Sequence, residues 1–239
     1  MAEVADELSK TSCSILEPQQ TALSIDGQVD ELCEVLKKHS VVPVILIGHS
    51  WGAWLIFIIA SLHPELVEKL ILVSSGPFEA KYATGLGVTR KGRLSDAEKS
   101  EMNKLWKIIQ TSTEQNNDKL LTRVGEIVGK ADTYDPLPEK RYEMPEGLSV
   151  NADIFNKVMP EAIELRKSGK LLSMGEYIKC PVTAIHGDYD PHPAEGVKGP
   201  LSNVLDQFKF IELEKCGHEP WRERYAREKF FRILKNEIK

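Results

Sequence analysis

The apolar run Val41-Val42-Pro43-Val44-Ile45-Leu46-Ile47 breaks at Gly48, and a second apolar stretch begins only after Gly52. Between the two glycines stands Ser50, in the pattern Gly-x-Ser-x-Gly. A β-branched run that ends in glycine and gives way to a helical stretch reads as strand, sharp turn, helix. So tight a turn leaves the central side chain strained and exposed at the carboxyl edge of a sheet. Bulky side chains two positions to either side would collide, so the spacing predicts that glycine is needed at both Gly48 and Gly52. Ser50 is therefore a candidate nucleophile.

The flanks extend the same grammar. Val29, Leu32, Cys33 and Leu36 fall on one face of a helix over 27–39, with Ser24 or Asp26 as its cap. A strand over 41–47 follows, then a helix from Trp51 to Leu62 that is apolar nearly all round and must be buried on most sides. His63-Pro64 ends it, because the residue before proline is pushed out of helical geometry. Leu70-Ile71-Leu72-Val73 reads as the next strand, running into Ser74-Ser75-Gly76-Pro77. Strands without polar alternation belong to a parallel sheet covered on both faces. Two more strands are expected late, at Pro181–Ile185 and Phe208–Leu213. An amphipathic helix then starts near Pro220, with Ala226, Phe230, Ile233 and Leu234 on one face.

Residues 78–177 differ. Ser95-Asp96-Ala97-Glu98 is a capping-box signature ahead of a helical face of Met102, Leu105, Trp106 and Ile109. Leu120, Val124 and Ile127 mark a second helix. Residues 132–150, rich in Pro, Asp and Glu, read as a loop, and a helical stretch over 152–167 is interrupted by Pro160. No strand is convincing here. The pattern predicts a core of 1–77 and 178–239 with a helical insertion, 78–177, over the carboxyl edge of the sheet. Trp106 is expected in the insertion's own packing.

Composition narrows the function classes. Lys+Arg 31 against Asp+Glu 36 gives a net charge of −5, which provides no general attraction to nucleic acid or to an anionic membrane. The one basic cluster, Arg90-Lys91-Gly92-Arg93, reads as a solvated loop. The stretch 41–62 is long and mostly apolar, but Pro43, Gly48, His49, Ser50 and Gly52 suit strand, elbow and buried helix better than a membrane span. Residues 1–20 are too polar for a signal peptide. Cys13, Cys33, Cys180 and Cys216 have no short paired spacing. Disulfides are not expected, and the default compartment is a reducing cytoplasm. Cys216 with His218, or Cys180 with His186, does not match zinc spacing, so no metal is expected.

A serine hydroxyl needs a base to take its proton, and the base needs a third group to orient it. Both partners should follow strands, at the same sheet edge as the elbow. His186-Gly187-Asp188-Tyr189-Asp190-Pro191 supplies two carboxylates, and Glu214-Lys215-Cys216-Gly217-His218-Glu219-Pro220 one histidine. The order is Ser, acid, His.

These three loops resemble those of the α/β-hydrolase superfamily. The resemblance implies a mostly parallel α/β sheet with an inserted helical cap and no cofactor. In its acid loop the carboxylate lies three residues beyond the glycine, which selects Asp190 over Asp188; Asp188 would brace the turn, with His49 packed beside the elbow and His186 beside the acid loop. By the same likeness Ser50 would attack a carbonyl carbon, His218 would carry the proton, and the Trp51 backbone N–H would bind the oxyanion. The expected partner is a small acyl substrate with an ester, amide or similar bond.

The Ser-Trp-Gly centre is similar to prolyl iminopeptidase-like members, an alternative substrate class. The second oxyanion donor comes, in the family, from a His-Gly loop upstream of the elbow, and nothing before Gly48 resembles it. Met1 to Leu16 looks like the helix and the start of the strand that follow that loop. The likeness therefore predicts a core short of the family's first strands, with an exposed edge open to pairing with a second copy. The chain would be either a piece of a longer protein or a catalytically silent relative that binds a partner.

Overall fold

In the computed structural model residues 1–111, 117–138 and 151–239 are described. Helices α1 (Ala2–Leu8) and α2 (Ile25–His39) precede strand β1 (Val44–His49). Helix α3 (Trp51–Leu62) leads to β2 (Val67–Val73). Between β2 and β3 (Val182–Gly187) run α4 (Leu86–Arg93), α5 (Asp96–Thr111), α6 (Asp118–Asp132), α7 (Ala152–Lys167) and α8 (Lys170–Ser173). Helix α9 (Glu195–Val204) joins β3 to β4 (Phe208–Leu213), and α10 (Arg227–Glu237) closes the described chain.

The four strands pair in sequence order, all parallel, with Ile47 opposite Ile71, Leu72 opposite Ala184 and Ile185 opposite Ile211. Parallel neighbours require crossover connections, and every one here contains helix. Alternation along β2 fills both sides. Leu70 and Leu72 enter one core with α2, α3 and α7, while Ile71 and Val73 enter a second core with Val4 and Leu8 of α1 and Phe230 and Leu234 of α10. Both faces are dry, hence the unbroken apolar strand sequences.

Ser24 caps α2 by accepting the Gly27 N–H at 3.1 Å. The reciprocal bonds of Ser95 and Glu98 open α5 as their spacing requires. Met102 of α5 joins Leu94, Ile127 and Ala131 in a small separate cluster, against which Leu105 and Trp106 pack. Val158 and Ala162 of α7 enter the main core instead.

Several boundaries differ from the sequence reading. β1 starts three residues later than expected, and β2 begins at Val67 because Val67 is itself buried. α7 is continuous through Pro160, since burial of Val158 and Ala162 on either side holds the helix despite one lost backbone bond. α9, with Gly196, Gly199 and Pro200, carries no helical propensity to read, and burial of Val197 and Leu201 imposes it. No strand follows α1; the described chain between α1 and α2 is turn and irregular structure. Pro220–Arg222 is a short 3₁₀ turn, and the last helix starts only at Arg227. Of the loop expected over 132–150, residues 139–150 lie outside the described residues. No helix among the described residues is long and apolar enough to cross a membrane.

Candidate active site

Ser50 sits between β1 and α3 with φ 54° and ψ −118°, a left-handed backbone rare for any residue with a Cβ. Its N–H donates to the carbonyl of Val73 at the end of β2, 3.1 Å, and its carbonyl accepts from Ala53 to begin the helix. The strain is thus held from both sides. The two glycines are not equivalent, contrary to the symmetrical expectation. A Cβ on Gly48 would lie 2.2 Å from the Gly52 carbonyl oxygen, whereas one on Gly52 would meet open space. Gly48→Ala is therefore expected to destabilise by about 1–3 kcal/mol. Gly52→Ala should be neutral or gain up to about 1 kcal/mol through helix propensity, both read by thermal denaturation.

The acid loop leaves β3 at Gly187. Asp188 Oδ1 accepts the Cys216 N–H at 3.1 Å and ties this loop to the histidine loop. The buried Asp190 carboxylate accepts three hydrogen bonds, two from imidazoles and one from backbone. His218 Nδ1 lies 2.8 Å from Oδ2, His192 Nδ1 lies 2.8 Å from Oδ1, and the His192 N–H donates to Oδ1 at 2.9 Å. His186 stands behind them, its Nε2 3.8 Å from Oδ2 and 2.8 Å from the His192 carbonyl.

Protonation follows from this geometry. Burial pushes the Asp190 pKa up, but the His218 charge and the bonds from His192 and His218 overcome it, and the pKa falls well below the usual carboxylate value. An ionised carboxylate only accepts, so both Nδ1 atoms donate and each Nε2 is left as the free ring position. Burial pulls the His218 pKa down, yet the Asp190 charge and hydrogen bond outweigh burial and raise it above the ordinary imidazole value. His192 and His49 go the other way, lowered first by burial, with the His218 charge adding to it.

His218 is also fixed by its backbone. Its N–H donates to the carbonyl of Asp132, the last residue of α6, at 2.8 Å. His49, next to Ser50, donates Nε2–H to the His218 carbonyl at 2.9 Å, with ring centroids 4.6 Å apart. A Cβ on Gly217 would sit 2.1 Å from the Asp132 carbonyl, so only glycine permits this approach of α6 to the histidine loop. The basic cluster belongs to the same joint and is not a solvated loop. Arg90 of α4 forms a bidentate pair with the Asp132 carboxylate, and Arg93 donates to the carbonyls of Ala131 and Tyr189 while covering the Tyr189 ring at 3.6 Å. A four-residue basic string reads as surface until its acidic and carbonyl partners, far off in sequence, are known.

A cavity of about 610 Å³ opens beside these groups. Ser50, Trp51, Trp54 and His192 line it from the core, Leu86 and Arg90 from α4, and Ile154, Phe155, Met159 and Arg166 from α7. Trp51 is oriented by its indole N–H, which donates to Gln28 Oε1 at 3.1 Å; Gln28 is fully buried. Asp190, His192 and His218 offer ligand atoms within 4.8 Å of one another, close enough for a metal ion, but the two Nδ1 atoms already bond the carboxylate.

A profile of the α/β-hydrolase fold matches residues 11–221. The chain belongs to the α/β-hydrolase fold family. Solved structures agree on the fold. VinJ is 16% identical, with 92% of this chain and 74% of that chain covered and a TM-score of 0.59. A monoacylglycerol lipase from Paleococcus ferrophilus is 18% identical, covering 93% and 77%, TM-score 0.55. A meta-cleavage product hydrolase from Pseudomonas fluorescens is 16% identical, covering 94% and 76%, TM-score 0.55.

Within this family fold, the structure brings Asp190 to His218 and sets the His218 backbone against the residue beside Ser50. Asp188 braces the two loops, as its separate role requires. Sequence reasoning missed His192. A signal existed: an Asp side chain readily accepts the N–H two residues on, and Asp190-Pro191-His192 is such a turn.

Proposed function

We propose that this α/β-hydrolase is a serine hydrolase that cleaves an ester, amide or similar acyl bond through an acyl-serine intermediate. The observation that carries the reading is the 2.8 Å bond from His218 Nδ1 to the buried Asp190, with the His218 carbonyl tied to His49 at the elbow. In this reading the Ser50 Oγ attacks the carbonyl carbon, and His218 Nε2 takes the hydroxyl proton. The oxyanion forms beside the Trp51 N–H, at the start of α3. Collapse expels the leaving group, which receives the proton from His218. Water then attacks the acyl-enzyme, giving its proton to the same nitrogen, and Ser50 is regenerated. The monoacylglycerol lipase whose fold it resembles fits the same reaction class.

A fluorophosphonate probe tests the reading. Folded protein should be labelled, and Ser50→Ala, checked for folding by circular dichroism, should lose the label. Absence of labelling on folded wild-type protein would overturn the proposal and leave a silent relative. Turnover of proline naphthylamide but not of short aryl esters would assign the peptidase chemistry.

A further inference from the structure

The cavity beside Ser50 contains two arginines in different electrostatic states. Arg90 is spent: both prongs of its guanidinium meet the Asp132 carboxylate. Arg166 of α7 is not. Its Nε is buried with no hydrogen-bond partner, and among the described residues no carboxylate pairs with it. The guanidinium lies 5.5 Å from the Trp54 ring centroid, with Trp54 lining the same cavity. No Asp or Glu is among the described residues of the lining. With no carboxylate beside it among the described residues, the guanidinium is an unneutralised cation where Arg166 lines the cavity.

We propose that Arg166 is an anion subsite of the acyl pocket, selecting substrates that carry a carboxylate on an apolar chain away from the scissile bond. The inference rests on the hydrolase reading for the word substrate, and on the cavity alone for the anion. Apolar walls from Trp54, Ile154, Phe155 and Met159 lie on the same surface and would hold the chain. The guanidinium would take the carboxylate in its planar fork. Burial alone already pulls the Arg166 pKa down from its usual value, and a carboxylate bound there would reverse that pull.

Two measurements separate this subsite from the chemistry. In the first, p-nitrophenyl hydrogen adipate is compared with its neutral methyl ester as substrates. Wild type should favour the anion by roughly tenfold or more in kcat/KM, mostly through KM. Arg166→Met should bring that ratio close to one, and Arg166→Lys should keep part of it. In the second, adipate is titrated into Ser50→Ala and into Ser50→Ala/Arg166→Met, read by tryptophan fluorescence. Adipate should bind the first and bind the second at least about tenfold more weakly.

A ratio near one in wild type, or a ratio unchanged in Arg166→Met, overturns the subsite while leaving the hydrolase intact. Arg166-dependent adipate binding without turnover of either ester keeps the subsite and removes the hydrolase. Adipate binding that ignores Arg166 overturns the subsite as well.

Discussion

Under the proposed hydrolase chemistry, asparagine in place of Asp190 is expected to slow ester hydrolysis by about 10⁴-fold without unfolding the protein. The carboxylate accepts Nδ1–H from both His218 and His192. Asparagine has one acceptor oxygen for those two rings. Its amide nitrogen must face the other, and a donor facing His218 Nδ1 forces the proton onto Nε2. That tautomer has no lone pair for the Ser50 proton. Stopped-flow or steady-state hydrolysis of an aryl ester, with far-UV circular dichroism as the folding control, reads the effect. A loss under about tenfold would show that His218 does not depend on Asp190 for its tautomer.

The pH dependence has a fixed sign. In the proposed reaction His218 acts as base only when neutral, and Asp190 holds its pKa above the ordinary imidazole value of about 6.5. The kcat/KM profile should therefore rise through an inflection above about 6.5. His192 and His49, both lowered, stay neutral across that range and should not add to the inflection. Stability runs the opposite way. A raised imidazole contributes stability fully below its unfolded pKa, and that contribution is lost as pH climbs through the folded value. Asp190, depressed, contributes above its unfolded value of about 3.9 and loses the contribution as acid approaches its folded pKa. The ion pair thus helps the fold most in mild acid, where the base is protonated and the reaction slow.

What could be read from residues alone follows from distance along the chain. Helix α3 matches its sequence bounds because glycine, apolar burial and His63-Pro64 are local facts. β4 matches Phe208–Leu213 for the same kind of reason, and the order Ser, acid, His is readable because each loop follows its own strand. The rest depends on contacts no local pattern encodes. Arg90 looks solvated until Asp132, at the far end of α6, is placed against it. Gly52 looks obligatory by symmetry with Gly48, yet only Gly48 faces the opposing backbone. α9 forms in a segment with two glycines and a proline because the core needs Val197 and Leu201.

Glu223 is the largest stability effect such distant contacts predict. It is fully buried, and in sequence it looks like one more surface charge of Arg222-Glu223-Arg224. Its carboxylate accepts three backbone N–H groups at 2.8 Å each, from Tyr134, Asp135 and Gly217. The first two lie just beyond α6, and the third sits next to His218. Leu137 and Arg224 add backbone bonds across the same joint. Glu223→Ala would strand one buried donor, Gly217, and two part-buried ones, Tyr134 and Asp135; at about 1–3 kcal/mol for the first and about 1 kcal/mol for each of the others, a total loss of roughly 3–5 kcal/mol is expected. For a domain of this size the melting temperature should fall by roughly 10 °C or more. Glu223→Gln keeps one oxygen, enough for the two donors that share Oε1, and opposes its amide to the Asp135 N–H; about half the loss is expected. A melting temperature within about 2 °C of wild type for Glu223→Ala would mean the joint is not held this way. Because the same carboxylate anchors the residue before His218, activity at temperatures where Glu223→Ala is still folded should drop as well. The segment that follows α6 therefore holds in place the loop that carries His218, the base of the proposed reaction.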